Sequence, residues 1–219
     1  MQTITLTDVL PRVFAAERDS RAVTTSQVWL ARLELHRGRF YRIDASSGMG
    51  KTSMCAFIYG LRTDYEGRIA FDGTDIAGYG IGDWCALRRR SLAYLPQSLD
   101  LFAELSAIDN ILLKNRLTDH RSEADIRRML DRLGIADRAD VPAGRLSVGQ
   151  QQRVALVRAL CQPFDFIMLD EPVSHLDAVN NRICADIVAD AAREQGAGVI
   201  TTSVGNHLAL PGDINIIEL

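Results

Sequence analysis

The sequence predicts an α/β fold in which a mainly parallel β-sheet carries α-helices on its faces. Short strand-like segments alternate with helix-periodic segments along the chain, and this alternation is typical of a parallel sheet. The stretch from about residue 98 to residue 150 is charged and helix-periodic, which indicates an inserted α-helical lobe. The first strand-like runs are separated by turn residues, and we assign them to an N-terminal antiparallel β part.

The strand predictions rest on alternating or continuous apolar runs that end at turn residues. They cover residues 3–10, 28–35, 39–44, 66–72, 92–95, 164–169, 198–202 and 214–218. Helix-periodic segments lie between them at residues 51–61, 83–90, 122–134, 147–160 and 177–194. The helices at Ser122 and Ser147 each begin with a capping-box pattern, in which a serine precedes an acidic or amide residue by three positions.

Composition limits the class of protein. The 219 residues are 47% apolar and 24% charged, close to the globular average, which excludes a disordered or fibrous chain. A net charge of −3 gives no electrostatic reason to expect nucleic acid as a partner. The four cysteines are scattered without a CxxC pair, and no apolar stretch approaches the roughly 20 residues of a membrane span. We therefore expect a soluble protein of the cytoplasm.

A glycine-rich loop between the predicted strand 39–44 and the helix at residue 51 reads Ser46-Ser47-Gly48-Met49-Gly50-Lys51-Thr52-Ser53. In a phosphate-binding loop (P-loop), backbone N–H groups surround phosphate oxygens, the lysine reaches the β- and γ-phosphates, and the next hydroxyl binds Mg²⁺. Lys51 is one of only two lysines among 25 basic residues, and a compact ammonium suits a tight phosphate pocket. An ordinary glycine-rich turn is the alternative interpretation.

Ala45 stands where the P-loop pattern has its first glycine. If this position needs a positive φ angle, alanine costs roughly 1–2 kcal/mol there.

Two carboxylates, Asp170 and Glu171, follow the apolar strand at 164–169. In P-loop proteins an acid at such a strand end holds Mg²⁺, which suits Asp170, and Glu171 can orient or deprotonate the attacking water. The distance along the chain from Lys51 allows this strand to lie beside the P-loop strand. A pair of exposed acids after a strand is the alternative.

The segment Leu146-Ser147-Val148-Gly149-Gln150 comes 20 residues before these acids, and Ser147 with Gln150 opens the capped helix at 147–160. The free N–H groups of a capped helix N-terminus attract anions, although a plain helix start explains the same pattern.

Together these motifs resemble the ATPase subunits of ATP-binding cassette (ABC) transporters. The P-loop, Pro96-Gln97, residues 146–150, Asp170-Glu171-Pro172 and residues 174–177 (Ser-His-Leu-Asp) occur in the order of that family, over essentially the whole chain. Residues 101–111 most resemble the subgroup that serves lipoprotein release, macrolide export and cell division.

The resemblance implies one P-loop NTPase (RecA-like) domain over residues 1–219, with a core lobe at 1–97 and 151–219 and a helical lobe at about 98–150. It implies that ATP lies between two ATPase subunits, on residues 46–53 and Phe14 of one, with Lys51, Gln97 and Glu171 as catalytic residues. Packing in the core is an equal alternative for Phe14.

The resemblance further implies that Mg²⁺ is bound by Thr52, Gln97 and Asp170. The partner subunit's nucleotide would contact Ser147, Gly149 and Gln150, and Asp177 would cross the dimer interface. The expected partners are a second ATPase subunit, as a homodimer or heterodimer, and an integral membrane permease. The latter would hold this protein at the inner face of the cell membrane.

The sequence departs from the family pattern at three positions. Ala45 is one, and Val148 replaces the central glycine of the LSGGQ motif. Val204 stands where the family has a histidine that contacts the γ-phosphate, and His207 replaces it only if the loop rearranges. These departures leave an alternative open: an ATP-gated regulatory or degenerate module with weak or no hydrolysis.

Overall fold

A computed structural model describes residues 1–219 and contains two β-sheets. The larger sheet has five strands in the order β6-β7-β8-β3-β9, and all its neighbouring strands are parallel. These strands are β3 (Phe40–Asp44), β6 (Leu92–Leu95), β7 (Phe166–Asp170), β8 (Gly198–Ser203) and β9 (Ile214–Glu218). The predicted parallel sheet is therefore confirmed.

The expectation that the strand of Asp170 lies beside the P-loop strand is wrong. Strand β8 lies between β3 and β7, with Asp44 opposite Ser203 and Asp170 opposite Thr202. Because all three strands are parallel, their carboxyl ends still meet at one edge of the sheet. The acids and the P-loop thus share that edge without being on adjacent strands.

A smaller antiparallel sheet has the order β2-β1-β4-β5 and confirms the predicted N-terminal antiparallel part. Its strands are β1 (Thr3–Pro11), β2 (Arg32–His36), β4 (Tyr65–Phe71) and β5 (Thr74–Asp75). The predicted strand 28–35 is too long at its start, since the Ser26 hydroxyl accepts bonds from the N–H groups of Val28 and Trp29. Leu30 then turns the chain with a φ of 52°.

Seven α-helices accompany the sheets. They are α1 (Arg21–Thr24), α2 (Lys51–Ile58), α3 (Ile81–Arg90), α4 (Ala107–Asn115), α5 (Glu123–Arg132), α6 (Val148–Leu160) and α7 (Ala178–Gln195). The predicted capping boxes at Ser122 and Ser147 are both present, and Asp177 caps α7. No helix is both long and apolar enough to cross a membrane.

Two hydrophobic clusters cover the two faces of the parallel sheet. One joins α2 to the antiparallel sheet through residues such as Phe57 and Leu6. The other joins the inserted helices α4 and α5 to α6 and α7, with Ile111, Leu130 and Val154 in the same cluster. Helix α6 runs without a break across residues 150 and 151, so the insertion shares its core with the rest of the domain.

Candidate functional site

The loop between β3 and α2 has the backbone geometry of a phosphate cradle. Gly48 and Gly50 adopt φ angles of 84° and 94°, and Gly50 occupies the N-cap position of α2. The N-terminus of the helix therefore opens toward the loop, where its free N–H groups favour an anion. Ala45 does not have a positive φ, so the expected cost of alanine at this position does not arise.

Two aromatic rings support the outer side of this loop. A Cβ atom on Gly50 would lie 2.9 Å from the Trp29 ring and 3.0 Å from the Phe14 ring, so only glycine is accommodated there. The Trp29 indole Nε1 donates to the Met49 carbonyl at 3.0 Å and orients that peptide. Sequence reasoning missed Trp29, because only the folded chain brings it to the loop.

Phe14 lies in the short 3₁₀ segment Arg12–Glu17, half-buried against the same cluster. The ring adjoins the P-loop at Gly50 and also packs against the core.

Lys51 is buried, with 5% of its surface exposed, and folds back into the loop. Its Nζ donates to the carbonyls of Ala45 at 2.8 Å and Ser46 at 2.9 Å. Burial lowers the pKa of Lys51, and the negative charges of Glu171 and Asp170 act against that shift. The ammonium is therefore held in the loop by hydrogen bonds to two carbonyls, and phosphate oxygens can replace these carbonyls as its acceptors.

A polar cavity of about 250 Å³ opens over the loop. Its lining contains no hydrophobic residue and consists of Ser47, Gly48, Gly50, Lys51, Thr52, Ser53, Gln97 and Glu171. Most of the sequence-predicted nucleotide and catalytic residues are therefore brought together. Ser46 and Met49 contribute carbonyls to Lys51 and Trp29 and do not line the cavity.

Asp170 ends β7 as a buried carboxylate with 1% of its surface exposed. The Thr202 hydroxyl donates to its Oδ1, while its Oδ2 is buried without any partner. A buried oxygen of this kind calls for a cation or a water that the protein alone does not provide. Oxygen ligands are what Mg²⁺ prefers, so Asp170 and the Thr52 hydroxyl suit that ion.

Glu171 is held in an unusual backbone conformation, with a φ of 50°. Its N–H donates to the Thr202 carbonyl at 3.2 Å, and its Oε2 accepts from Gln97 Nε2 at 3.0 Å. Non-glycine residues in this region of φ cluster at functional sites, where surrounding bonds hold them. The arrangement puts the Glu171 carboxylate over the phosphate loop, where it can receive a proton from a water molecule.

Helix α6 begins with the capping box of Ser147 and Gln150. The Ser147 hydroxyl accepts from the Gln150 N–H, and the Gln150 side-chain oxygen accepts from the Ser147 N–H. Val148 is 49% exposed at this helix start. A Cβ on Gly149 would lie 3.2 Å from the His175 carbonyl, so α6 packs tightly against residues 174–177. None of these residues lines the cavity over the P-loop of the same chain.

Gln152 is a second residue that sequence reasoning missed. Its side chain is buried and donates to Ser174 Oγ at 2.8 Å and to the Glu171 carbonyl at 3.3 Å. It also accepts from the His175 N–H at 3.2 Å. Its burial is visible only in the folded chain, where such a side chain must find partners.

Asp177 is exposed and caps α7, with both carboxylate oxygens accepting bonds from Asn180. These bonds, the backbone one first, lower the pKa of Asp177.

The loop after β8 carries Val204, which is 47% exposed. His207 turns its Nδ1 toward Ser203 Oγ at 2.5 Å and toward Asp44 Oδ1 at 3.6 Å. It does not line the cavity.

Known proteins resemble this chain along most of its length. Residues 30–174 match the family described as ABC transporter. LolD of Bordetella pertussis, the ATP-binding protein of a lipoprotein-releasing system, is 32% identical over 184 residues, which cover 83% of this chain and 80% of LolD. The macrolide export ATP-binding/permease protein MacB of Paracoccus denitrificans is 34% identical over 67% of this chain and 22% of its own length.

A solved structure of a dimeric ATP-binding cassette, in a post-hydrolysis state with ADP and phosphate bound, has a TM-score of 0.68 and 27% identity. The alignment covers 78% of this chain and 77% of that one. LolD and MacB confirm the lipoprotein-release and macrolide-export part of the predicted subgroup, and nothing in these similarities favours a degenerate module. The region that holds the P-loop, Gln97 and Glu171 is the region that matches, and the chain belongs to the ABC transporter family as one of its ATP-binding subunits.

Proposed function

We propose that this protein binds and hydrolyses Mg-ATP in the polar cavity over the P-loop and thereby drives a separate membrane permease. One observation carries the proposal. Gln97 and Glu171 are hydrogen-bonded to each other and line one cavity together with the P-loop, and the adjacent Asp170 has a buried oxygen without a partner. A carboxylate base, a phosphate cradle and a cation site at one sheet edge are what nucleotide hydrolysis needs.

In this proposal the N–H groups of residues 47–52 and the N-terminus of α2 bind the β- and γ-phosphates. Lys51 moves its ammonium from the Ala45 and Ser46 carbonyls to phosphate oxygens. Thr52, Gln97 and Asp170 would hold Mg²⁺, and the ion would neutralise charge on the phosphates. Glu171 orients the attacking water and accepts its proton.

The proposed working unit has a second ATPase subunit, whose Ser147, Gly149 and Gln150 complete the site. Support comes from the cavity lining, which lacks these residues of the same chain, and from the dimeric form of the similar cassette. Asp177 is exposed beside α6, where it is available for contact across the interface. We also propose the two-lobe division, with the helical lobe at about 98–150.

The proposed permease contact is an apolar groove of about 320 Å³ next to Gln97. We call it the Phe102 groove, and it is lined by Leu61, Pro96, Phe102, Leu113, Leu117 and Arg158 among others. Leu61 and Phe102 are each 57% exposed, an apolar surface suited to a helix of a partner. MacB, whose name joins an ATP-binding and a permease part, supports a permease as the occupant.

The test is Mg-ATP turnover by the purified chain and its Glu171→Gln variant, with Glu34→Gln as the control. Glu34 is an exposed carboxylate on strand β2 and does not line the cavity. Loss of the base lowers turnover by about 10²–10⁴-fold, while equilibrium ATP affinity is unchanged because Glu171 makes no phosphate contact in the proposal. Turnover that survives in Glu171→Gln, or none in the wild-type protein with a permease added, overturns the proposal.

A further inference from the structure

The turn that follows Gln97 contains two consecutive non-glycine residues in the left-handed region, Leu99 with a φ of 62° and Asp100 with a φ of 48°. This region is unfavourable for residues with a Cβ atom, and two in succession need outside support. A local bond from Ser98 Oγ to the Asp100 carboxylate, at 2.7 Å, provides part of that support. The N–H of Leu99 also donates to the Pro96 carbonyl at 3.0 Å, and that of Asp100 to the Ser98 carbonyl at 2.7 Å. Further support comes from another element.

Arg158, near the C-terminal end of α6, forms hydrogen bonds with the backbone of the 99–100 turn. Its Nη1 donates to the Asp100 carbonyl at 2.6 Å and its Nη2 donates to the Leu99 carbonyl at 2.5 Å. A planar guanidinium that spans two successive carbonyls fixes the orientation of both peptide groups, which a lysine ammonium does not do. Arg158 is half-buried, and this burial lowers its pKa.

The same helix also reaches the other partner of the Gln97–Glu171 bond. Gln152, near the start of α6, donates to the Glu171 carbonyl at 3.3 Å. Arg158, near its end, holds the residues that begin two positions after Gln97. A single rigid helix therefore fixes the backbone on both sides of the bond between Gln97 and Glu171.

We propose that Arg158 is a positioning residue that keeps the 99–100 turn left-handed and thereby sets Gln97 against Glu171. Arg158 also lines the Phe102 groove, so a permease segment seated there meets the guanidinium and alters its hold on the turn. The inference rests on the proposed function and names how a partner regulates that same site.

The test compares Arg158→Lys with Arg37→Lys. Arg37 is the control, because its guanidinium also donates to two successive carbonyls, those of Gln195 and Gly196, besides pairing with Asp165, and it lines neither the cavity nor the Phe102 groove. Amide hydrogen exchange of residues 98–101 in nucleotide-free protein is expected to speed up in Arg158→Lys alone. The kcat for ATP is expected to fall about tenfold or more, since small misplacements are costly, with KM within about twofold of wild type.

A double-mutant cycle with Gln97→Ala separates positioning from a general structural role. If Arg158 acts through Gln97, Arg158→Lys lowers kcat little further in the Gln97→Ala background. Unchanged exchange at residues 98–101, or losses that multiply in the double variant, overturns the inference. If Arg158→Lys does not fold, Arg158→Gln is measured in its place, since its amide reaches one carbonyl only.

The two proposals fail in different ways. Wild-type protein without Glu171-dependent turnover contradicts the proposed function, whatever Arg158 does to exchange. Active wild-type protein with an unaffected Arg158→Lys variant contradicts only the present inference.

Discussion

Valine at position 204 removes a hydrogen-bond donor from the end of β8. The resembling family has a histidine at this point, and valine offers the γ-phosphate only an apolar surface. His207 does not replace it in this conformation, because its ring is held by Ser203 and lies near Asp44. In our proposal the chain therefore retains its base, Glu171, and its P-loop while lacking one stabilising side chain.

Placing a hydrogen-bond donor at position 204 tests how much ATP turnover is lost without one. We expect Val204→His to raise kcat for ATP by about 10²-fold, the scale of one preorganised donor to a developing charge. Val204 is 47% exposed, so an imidazole is accommodated without repacking the core. Ile216→His, at a similarly exposed β-branched residue on β9, is the control and should leave kcat unchanged. An unchanged kcat in Val204→His would mean that this site does not use a donor at that point.

At the scale of elements, the start of α6 combines helix capping with a proposed nucleotide contact, and comparing Ser147 with Ser122 separates the two roles. Ser147 and Ser122 are both N-caps with complete capping boxes, on α6 and α5. Replacing either by alanine removes the cap and costs about 1 kcal/mol. Only Ser147 is also proposed to contact a nucleotide.

We therefore expect Ser122→Ala and Ser147→Ala to lower the melting temperature by a similar amount, about 2–4 °C for a chain of this size. ATP turnover should fall only in Ser147→Ala, beyond what its stability loss explains. Thermal unfolding and turnover are measured on the same preparations. Equal turnover in the two variants would restrict Ser147 to capping.

Elements specified by local chemistry were predictable from the sequence, and those that depend on distant partners were not. The capped starts of α5, α6 and α7 follow from side chains within three residues of each helix end. The order of strands is decided by packing of the whole sheet, which is why β8 rather than β7 lies beside β3.

The same distinction holds inside the candidate site. The residues that line the cavity occur in recognisable order along the chain. Trp29, Gln152 and Arg158 act on that site through tertiary contacts 20, 19 and 59 residues away along the chain, with Met49, Glu171 and Leu99 respectively. A short sequence pattern does not indicate such contacts, because the partners are distant along the chain.

At the scale of the whole molecule, the P-loop cavity and the start of α6 are separate features of one chain. The cavity is lined by residues 47, 48 and 50–53 with Gln97 and Glu171, and Ser147 to Gln150 contribute nothing to it. A complete site in our proposal therefore needs the P-loop of one subunit and the α6 start of another. This requirement makes the identity of the second subunit testable.

Mixing two variants of low turnover determines whether two copies of this chain suffice. Lys51→Ala removes the ammonium proposed to bind phosphate, and Ser147→Ala removes the α6 hydroxyl proposed to serve the opposite subunit. In a mixed homodimer one site carries both defects, while the other combines an intact P-loop with an intact α6 start. Random pairing at equal concentrations makes about half the dimers mixed with one working site each, so turnover recovers to about a quarter of wild type. Mixing in which turnover stays at the level of the separate variants would show that the chain does not form complete sites with itself, and its second subunit would then be a different polypeptide.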